Sequence, residues 1–199
     1  RDYFFYGICT IVMHQLLNSF MFIWLGGKDQ SYILSQVVVL LICADFYINC
    51  SAQTLERFRN ANGLFSLGRD LQLLGGLVNI FLSVVLAKRW GVEGVLASPF
   101  ICKIFITTTP YIARVGKYSF GKSIIDMLKY FFMRMLIIFI LGGITYFVCR
   151  GLHMGNVFMF LLEIIITVSI AICGLYIVFH NTSEFKELKV QYIKNRSHK

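Results

Sequence analysis

Long apolar runs alternate with short polar breaks along this chain. Each run reaches roughly the 20 residues that a helix needs to cross about 30 Å of hydrocarbon. The pattern predicts six helices, at about 3–25, 31–50, 71–87, 92–112, 128–148 and 157–179. The first run carries no charge between Asp2 and Lys28, and Gly26-Gly27-Lys28-Asp29 reads as a turn. The second is broken only by Asp45. Residues 51–70 are polar but keep Leu55, Phe58, Leu64 and Phe65, which reads as a loop leading into an amphipathic, interfacial start of the third helix. Lys88-Arg89-Trp90-Gly91 is a tight turn before the fourth helix, which holds Pro99 and Pro110. A basic loop follows at 113–127, and 150–156 is a short turn. The stretch 181–199 is a polar, basic tail. In it Asn181 and Glu184 are spaced as a capping box, and Phe185, Leu188 and Tyr192 recur at helical spacing.

Composition strengthens the membrane reading. Of 199 residues, 57% are hydrophobic and 15% charged, against about 25% charged in soluble domains. The net charge of +9 does not point to nucleic acid, because the basic residues sit between apolar runs. Placing alternate connections on opposite sides gives one side Arg1, Arg57, Arg59, Arg69, Arg114, Lys117, Lys122, Lys129, Lys186, Lys189, Lys194, Arg196 and Lys199. The other side holds only Lys28, Lys88, Arg89 and Arg150. The positive-inside rule then makes the first side, with both chain ends, cytoplasmic. The sequons at Asn49, Asn181 and Asn195 fall on or near that inner side and read as chance. The chain opens on Arg1 without a visible signal peptide and is expected to be part of a longer protein.

Charged and polar groups at mid-membrane are costly and need a reason. His14 lies roughly 16 Å into the first helix at 1.5 Å per residue, with Gln15, Asn18 and Ser19 on the same side. Two readings stand for them: hydrogen bonds between packed helices, or a polar stripe facing a water-filled cavity. Lys103 is equally deep in the fourth helix and Glu163 lies in the sixth, so a Lys103–Glu163 pair is one expectation, structural or functional. Asp45, with Asn49 one turn on, reads first as an interfacial carboxylate. Arg134 reads as snorkelling to the surface. Gly91, Gly94, Ala97 and Ser98 suit close helix packing. Cys9, Cys43, Cys50, Cys102, Cys149 and Cys173 form no CxxC pair and read as small apolar residues ahead of a disulfide or metal role. No GxGxxG, P-loop, HExxH or GxSxG is present, so no catalytic or metal residue is expected and the chain is not read as an enzyme.

Several ordered stretches resemble the C-terminal half of the bacterial polysaccharide flippases, the O-antigen and capsule repeat-unit transporters of the multidrug/oligosaccharidyl-lipid/polysaccharide exporter superfamily. They are Arg59-Asn-Ala-Asn-Gly-Leu-Phe65, Gly68-Arg69-Asp70, Val78-Asn79-Ile80-Phe81-Leu82-Ser83 and Trp90-Gly91-Val92-Glu93-Gly94-Val95-Leu96. Trp24-Leu25-Gly26 with Lys28, and Phe46-Tyr47-Ile48, fit as well, so the resemblance covers roughly residues 20–112. It implies an all-α integral membrane fold in which six helices form one lobe of a two-lobe transporter in the bacterial cytoplasmic membrane. The implied cargo is an undecaprenyl-diphosphate-linked, anionic oligosaccharide, with membrane lipids and other polysaccharide-assembly proteins as partners. No cofactor is expected beyond coupling to a proton or sodium gradient. By position the resemblance places His14, Gln15 and Asn18 at the cavity, and Arg57, Arg59 and Arg69 at its cytoplasmic mouth, where the alternative is a topology signal alone. Asp45, Lys103 and Glu163 complete the candidate set. Other classes stay open: a small-molecule antiporter of the same superfamily, a membrane glycan-modifying enzyme, or a non-transporting scaffold.

Overall fold

A computed structural model describes residues 2–24, 34–63, 68–115, 124–150 and 157–180. Among them there is helix and no strand. The elements are α1 (Asp2–Trp24), α2 (Gln36–Ala61), α3 (Arg69–Cys102), a π-helical turn (Lys103–Thr108), α4 (Thr109–Val115), α5 (Ile124–Cys149) and α6 (Val157–Phe179). Five stretches are long and apolar enough to cross a membrane: Asp2–Trp24, Gln36–Ala61, Arg69–Arg114, Ile125–Cys149 and Val157–Val178. By length and composition this is a multi-pass membrane protein. Its surface agrees. Leu73, Leu77, Ile80 and Phe81 recur at helical spacing along α3, and each is at least two-thirds exposed, a pattern suited to lipid rather than water.

The third stretch doubles back. Gly91 takes φ 57° and ψ −133°, a conformation that only glycine adopts without strain. The two arms on either side of it, 69–90 and 92–115, run antiparallel. From the turn outward, Gly94 packs against the Leu86 carbonyl, Ser98 meets Asn79, Gly75 meets Thr107, and Asp70 meets Arg114. The contacts recede from Gly91 in order along both arms. The turn expected at 88–91 is therefore where the chain reverses. The returning arm holds both prolines of the chain. Pro110 has no N–H to give and its ring crowds the carbonyl four residues back. The wide turn at Lys103–Thr108 precedes it, closed by the Thr109 N–H on the Ile104 carbonyl.

α2 corrects the expected boundaries. It does not stop at residue 50 but continues to Ala61. Ser51, Thr54 and Leu55 are buried on one face, and Ala52, Gln53, Leu55, Glu56 and Arg57 are good helix formers. The polar residues that read as a loop are the emerging end of the same helix. It ends at Asn62, whose side-chain amide donates to the Phe58 carbonyl at 3.0 Å, followed by Gly63 at φ 70°. At the other end Ser35 caps the helix, accepting from the Val38 N–H at 3.3 Å, and donates to Glu93 at 2.6 Å. One hydroxyl thus joins the start of α2 to the turn of the α3 hairpin. α5 likewise starts earlier than expected, by Ile124.

α1 lies at the centre, packed against α2, α5 and α6, and the α3 hairpin packs on the far side of α2. Two clusters fill the interior: Ile11, Tyr47, Ile138, Ala171 and Leu175 around α1, and Ile48, Leu55, Leu71, Tyr111, Ile112 and Phe131 between α2, the hairpin and α5. Lipid is as apolar as leucine, so these contacts hold through close packing and buried hydrogen bonds rather than escape from water. The turn at 26–29 and the tail at 181–199 lie outside the described residues, as do most of the basic loop and of the 150–156 turn.

Candidate functional site

Because α2 runs on to Ala61, Asp45 sits inside the helix and not near its end. Lys103 stands opposite it on the returning arm. Their Nζ and Oδ1 atoms are 2.5 Å apart, and both side chains are a little over a quarter exposed. Asn49, one turn along α2, donates to the second Asp45 oxygen at 2.9 Å. This overturns the expected Lys103–Glu163 pair. The hairpin lies across α2 from α6, so Glu163 pairs elsewhere.

Lys103 lies on the wall of a cavity of about 290 Å³ between α2 and the hairpin. Amide side chains of Asn49, Gln72 and Asn79, the Glu56 carboxylate and Thr107 line it, together with Gly75 and Gly76, which leave room. Gln72 donates to Glu56 at 3.0 Å and closes α2 against the first turn of α3. Gly68, at φ 89°, starts that turn where the Tyr111 ring fills the space of a Cβ. The Arg59 guanidinium lies 5.9 Å from the centre of the same ring and donates to Asn60 at 3.1 and 3.2 Å. Arg57 pairs with Asp2 at 3.3 Å, and Arg114 with Asp70 at 2.6 Å. Arg69, the first residue of α3, is exposed at the same end. The four arginines thus gather at one end of the bundle, near the cavity end formed by Glu56, Gly68 and Tyr111. Arg57 and Arg59 stand there on a helix and not in a loop. Arg134 also points to this end, 4.8 Å from the Tyr3 ring.

The polar group of α1 separates. Gln15 is buried and donates to Glu163 of α6 at 2.7 Å, itself 1% exposed. Asn18 holds the backbone of Leu34 at both its N–H and its carbonyl, at 3.2 and 3.1 Å, and so positions the start of α2. His14 faces α5, with its ring 6.1 Å from that of Tyr146. It borders a second, mostly apolar cavity of about 260 Å³ between α1, α2 and α5, where Leu40, Cys43 and Gly142 are its neighbours. Three of the four residues expected on one stripe, His14, Gln15 and Asn18, therefore serve three different contacts, and Lys103 with Asp45 stands apart from them all. The sequence carried a signal for that pair which the misplaced start of α2 hid: Asp45 lies about ten positions from Ser35 and Lys103 about ten from Glu93, which meet at one end of the bundle.

The six cysteines are free thiols. Among the described residues no group of three or more His, Cys, Asp or Glu side chains is placed to hold a metal ion. No protein-family model, curated protein or solved structure matches this chain.

Proposed function

We propose that this chain is one lobe of a flippase that moves a lipid-linked, anionic oligosaccharide across the bacterial cytoplasmic membrane. In this reading the chain crosses six times, through α1, α2, the two arms of the α3 hairpin, α5 and α6. The arginine-rich end and the C-terminus are cytoplasmic. The observation that carries the reading is a lysine inside an apolar, membrane-length stretch, on the wall of an amide-lined cavity whose far end lies beside four arginines. A cation held by a carboxylate inside the bilayer is expensive and is explained when an anion can take the carboxylate's place. Asn49, Gln72 and Asn79 offer donors and acceptors suited to sugar hydroxyls. The resemblance of residues 20–112 to polysaccharide flippases supports the same class.

The test is made in cells that express the full-length protein. Lys103→Ala and Arg59→Ala are expected each to lower export of surface polysaccharide without lowering the amount of protein in the membrane. Export at the parent level in both variants would sink the assignment. Extrusion of a cationic dye from vesicles, with surface glycan untouched, would place the chain among small-molecule antiporters instead.

A further inference from the structure

The α3 hairpin has a weak level on both of its arms at once. On the returning arm the π-helical turn Lys103–Thr108 lies between Pro99 and Pro110. Each proline removes an N–H from the helical ladder, and a π turn is a recognised point of strain in a helix. The Thr107 hydroxyl donates to the Lys103 carbonyl at 3.1 Å, substituting a side chain in the interrupted ladder. On the outgoing arm, at the same level, stand Gly75 and Gly76. Gly75 faces Thr107 so closely that a Cβ there would overlap the Thr107 methyl group. Glycine weakens a helix interior by about 0.5–1 kcal/mol relative to alanine; α5 has a like pair at Gly142–Gly143 but no proline or π turn beside it. No other membrane-length helix of the described chain contains a proline. The cavity of about 290 Å³ lies against this level, which gives the hairpin space to move into.

From these placements we infer that the α3 hairpin is a hinged flap. It bends about Gly75–Gly76 and Lys103–Thr108 together, and the Lys103–Asp45 pair is the latch that holds it against α2. Above the hinge, Ser98 binds the Asn79 carbonyl and side chain at 3.0 and 2.6 Å. Below it, Asp70 binds Arg114 and Tyr111 packs on Gly68. Each half is therefore tied across its two arms, and the break falls between them. Lys103 is the first residue of the weak turn, so its bond to Asp45 acts at the hinge itself. The inference does not depend on what the protein transports.

The test is hydrogen–deuterium exchange on the full chain in lipid nanodiscs, resolved to peptides. In the parent protein, peptides over 103–110 and 75–80 exchange faster than those of α1, α5 and α6. Asp45→Asn and Lys103→Met each raise exchange in both hinge peptides by roughly fivefold more than in α1, α5 and α6, the effect of losing about 1 kcal/mol of local stability at the hinge. Gly76→Ala stiffens the outgoing arm where an added Cβ meets nothing within 4 Å, and it slows both hinge peptides. The inference is overturned if the ion-pair variants raise exchange equally in every helix, which is the mark of a general stability contact. It is overturned also if they leave the hinge peptides unchanged, or if Gly76→Ala exchanges like the parent.

Discussion

At the scale of single residues, ion pairs of one kind differ by their surroundings. Arg57–Asp2 is a surface pair with the arginine two-thirds exposed, whereas Lys103–Asp45 is little more than a quarter exposed on each side. An exposed pair contributes about 0–1 kcal/mol. Removing one member of a largely buried pair leaves an uncompensated charge and costs more, up to about 3–5 kcal/mol when burial is complete. Thermal unfolding in detergent should therefore show Asp45→Asn melting well below the parent and Arg57→Ala melting close to it. Equal shifts would mean that water screens Lys103 as fully as it screens Arg57. Which residues were worth watching could be read from the sequence, since a lysine, an aspartate and a glutamate inside apolar runs stand out at once. The pairing could not. It depends on which helix lies beside which, and hydropathy carries no information about neighbours. Gln15, Asn18 and His14 show the same gap. Their common side of α1 is legible, but α1 is surrounded, so one side meets α6, α5 and the entrance to α2.

At the scale of elements, the apolar runs located the helices and misjudged some boundaries, the end of α2 most of all. A helix that leaves the membrane keeps its hydrogen-bond ladder while its composition changes, so the polarity of 51–61 marked the interface rather than the end of α2. The reversal at 88–91 was legible because charge, a bulky interfacial Trp90 and a glycine coincide there. Its geometry makes a sharp claim about Gly91. At φ 57° and ψ −133° an L-residue is strained by about 1–3 kcal/mol. Gly91→Ala is expected to lower the unfolding midpoint and loosen the hairpin. Gly143→Ala is the control, because Gly143 is helical and an added Cβ meets nothing within 4 Å; it should leave stability unchanged or raise it slightly. If the two variants melt alike, the reversal does not depend on a left-handed glycine.

At the scale of the whole molecule, the charge bias and the hairpin make one joint statement. Without the reversal at Gly91, the stretch Arg69–Arg114 would be one long helix, and Arg69 and Arg114 would stand at opposite ends. With it, Arg57, Arg59, Arg69 and Arg114 share an end, and Lys88 and Arg89 stand at the other. The folded-back arrangement gives the stronger bias of lysines and arginines to one side, and that bias is what orients a chain in the membrane. Topology can therefore be tested independently of transport. The free cysteines are replaced by alanine or serine, and single cysteines are introduced at Lys88, Arg89, Arg57 and Arg114 in turn. A membrane-impermeant thiol reagent added to intact cells should label positions 88 and 89 and spare 57 and 114. After the membrane is opened, 57 and 114 should label as well. Labelling of 57 from outside would invert the orientation and put the arginine-rich end, with the cavity beside it, at the outer face. A cargo assembled in the cytoplasm could not then enter there. Labelling of 57 and 114 on different sides would remove the hairpin itself, and with it the six-crossing arrangement on which the proposed lobe depends.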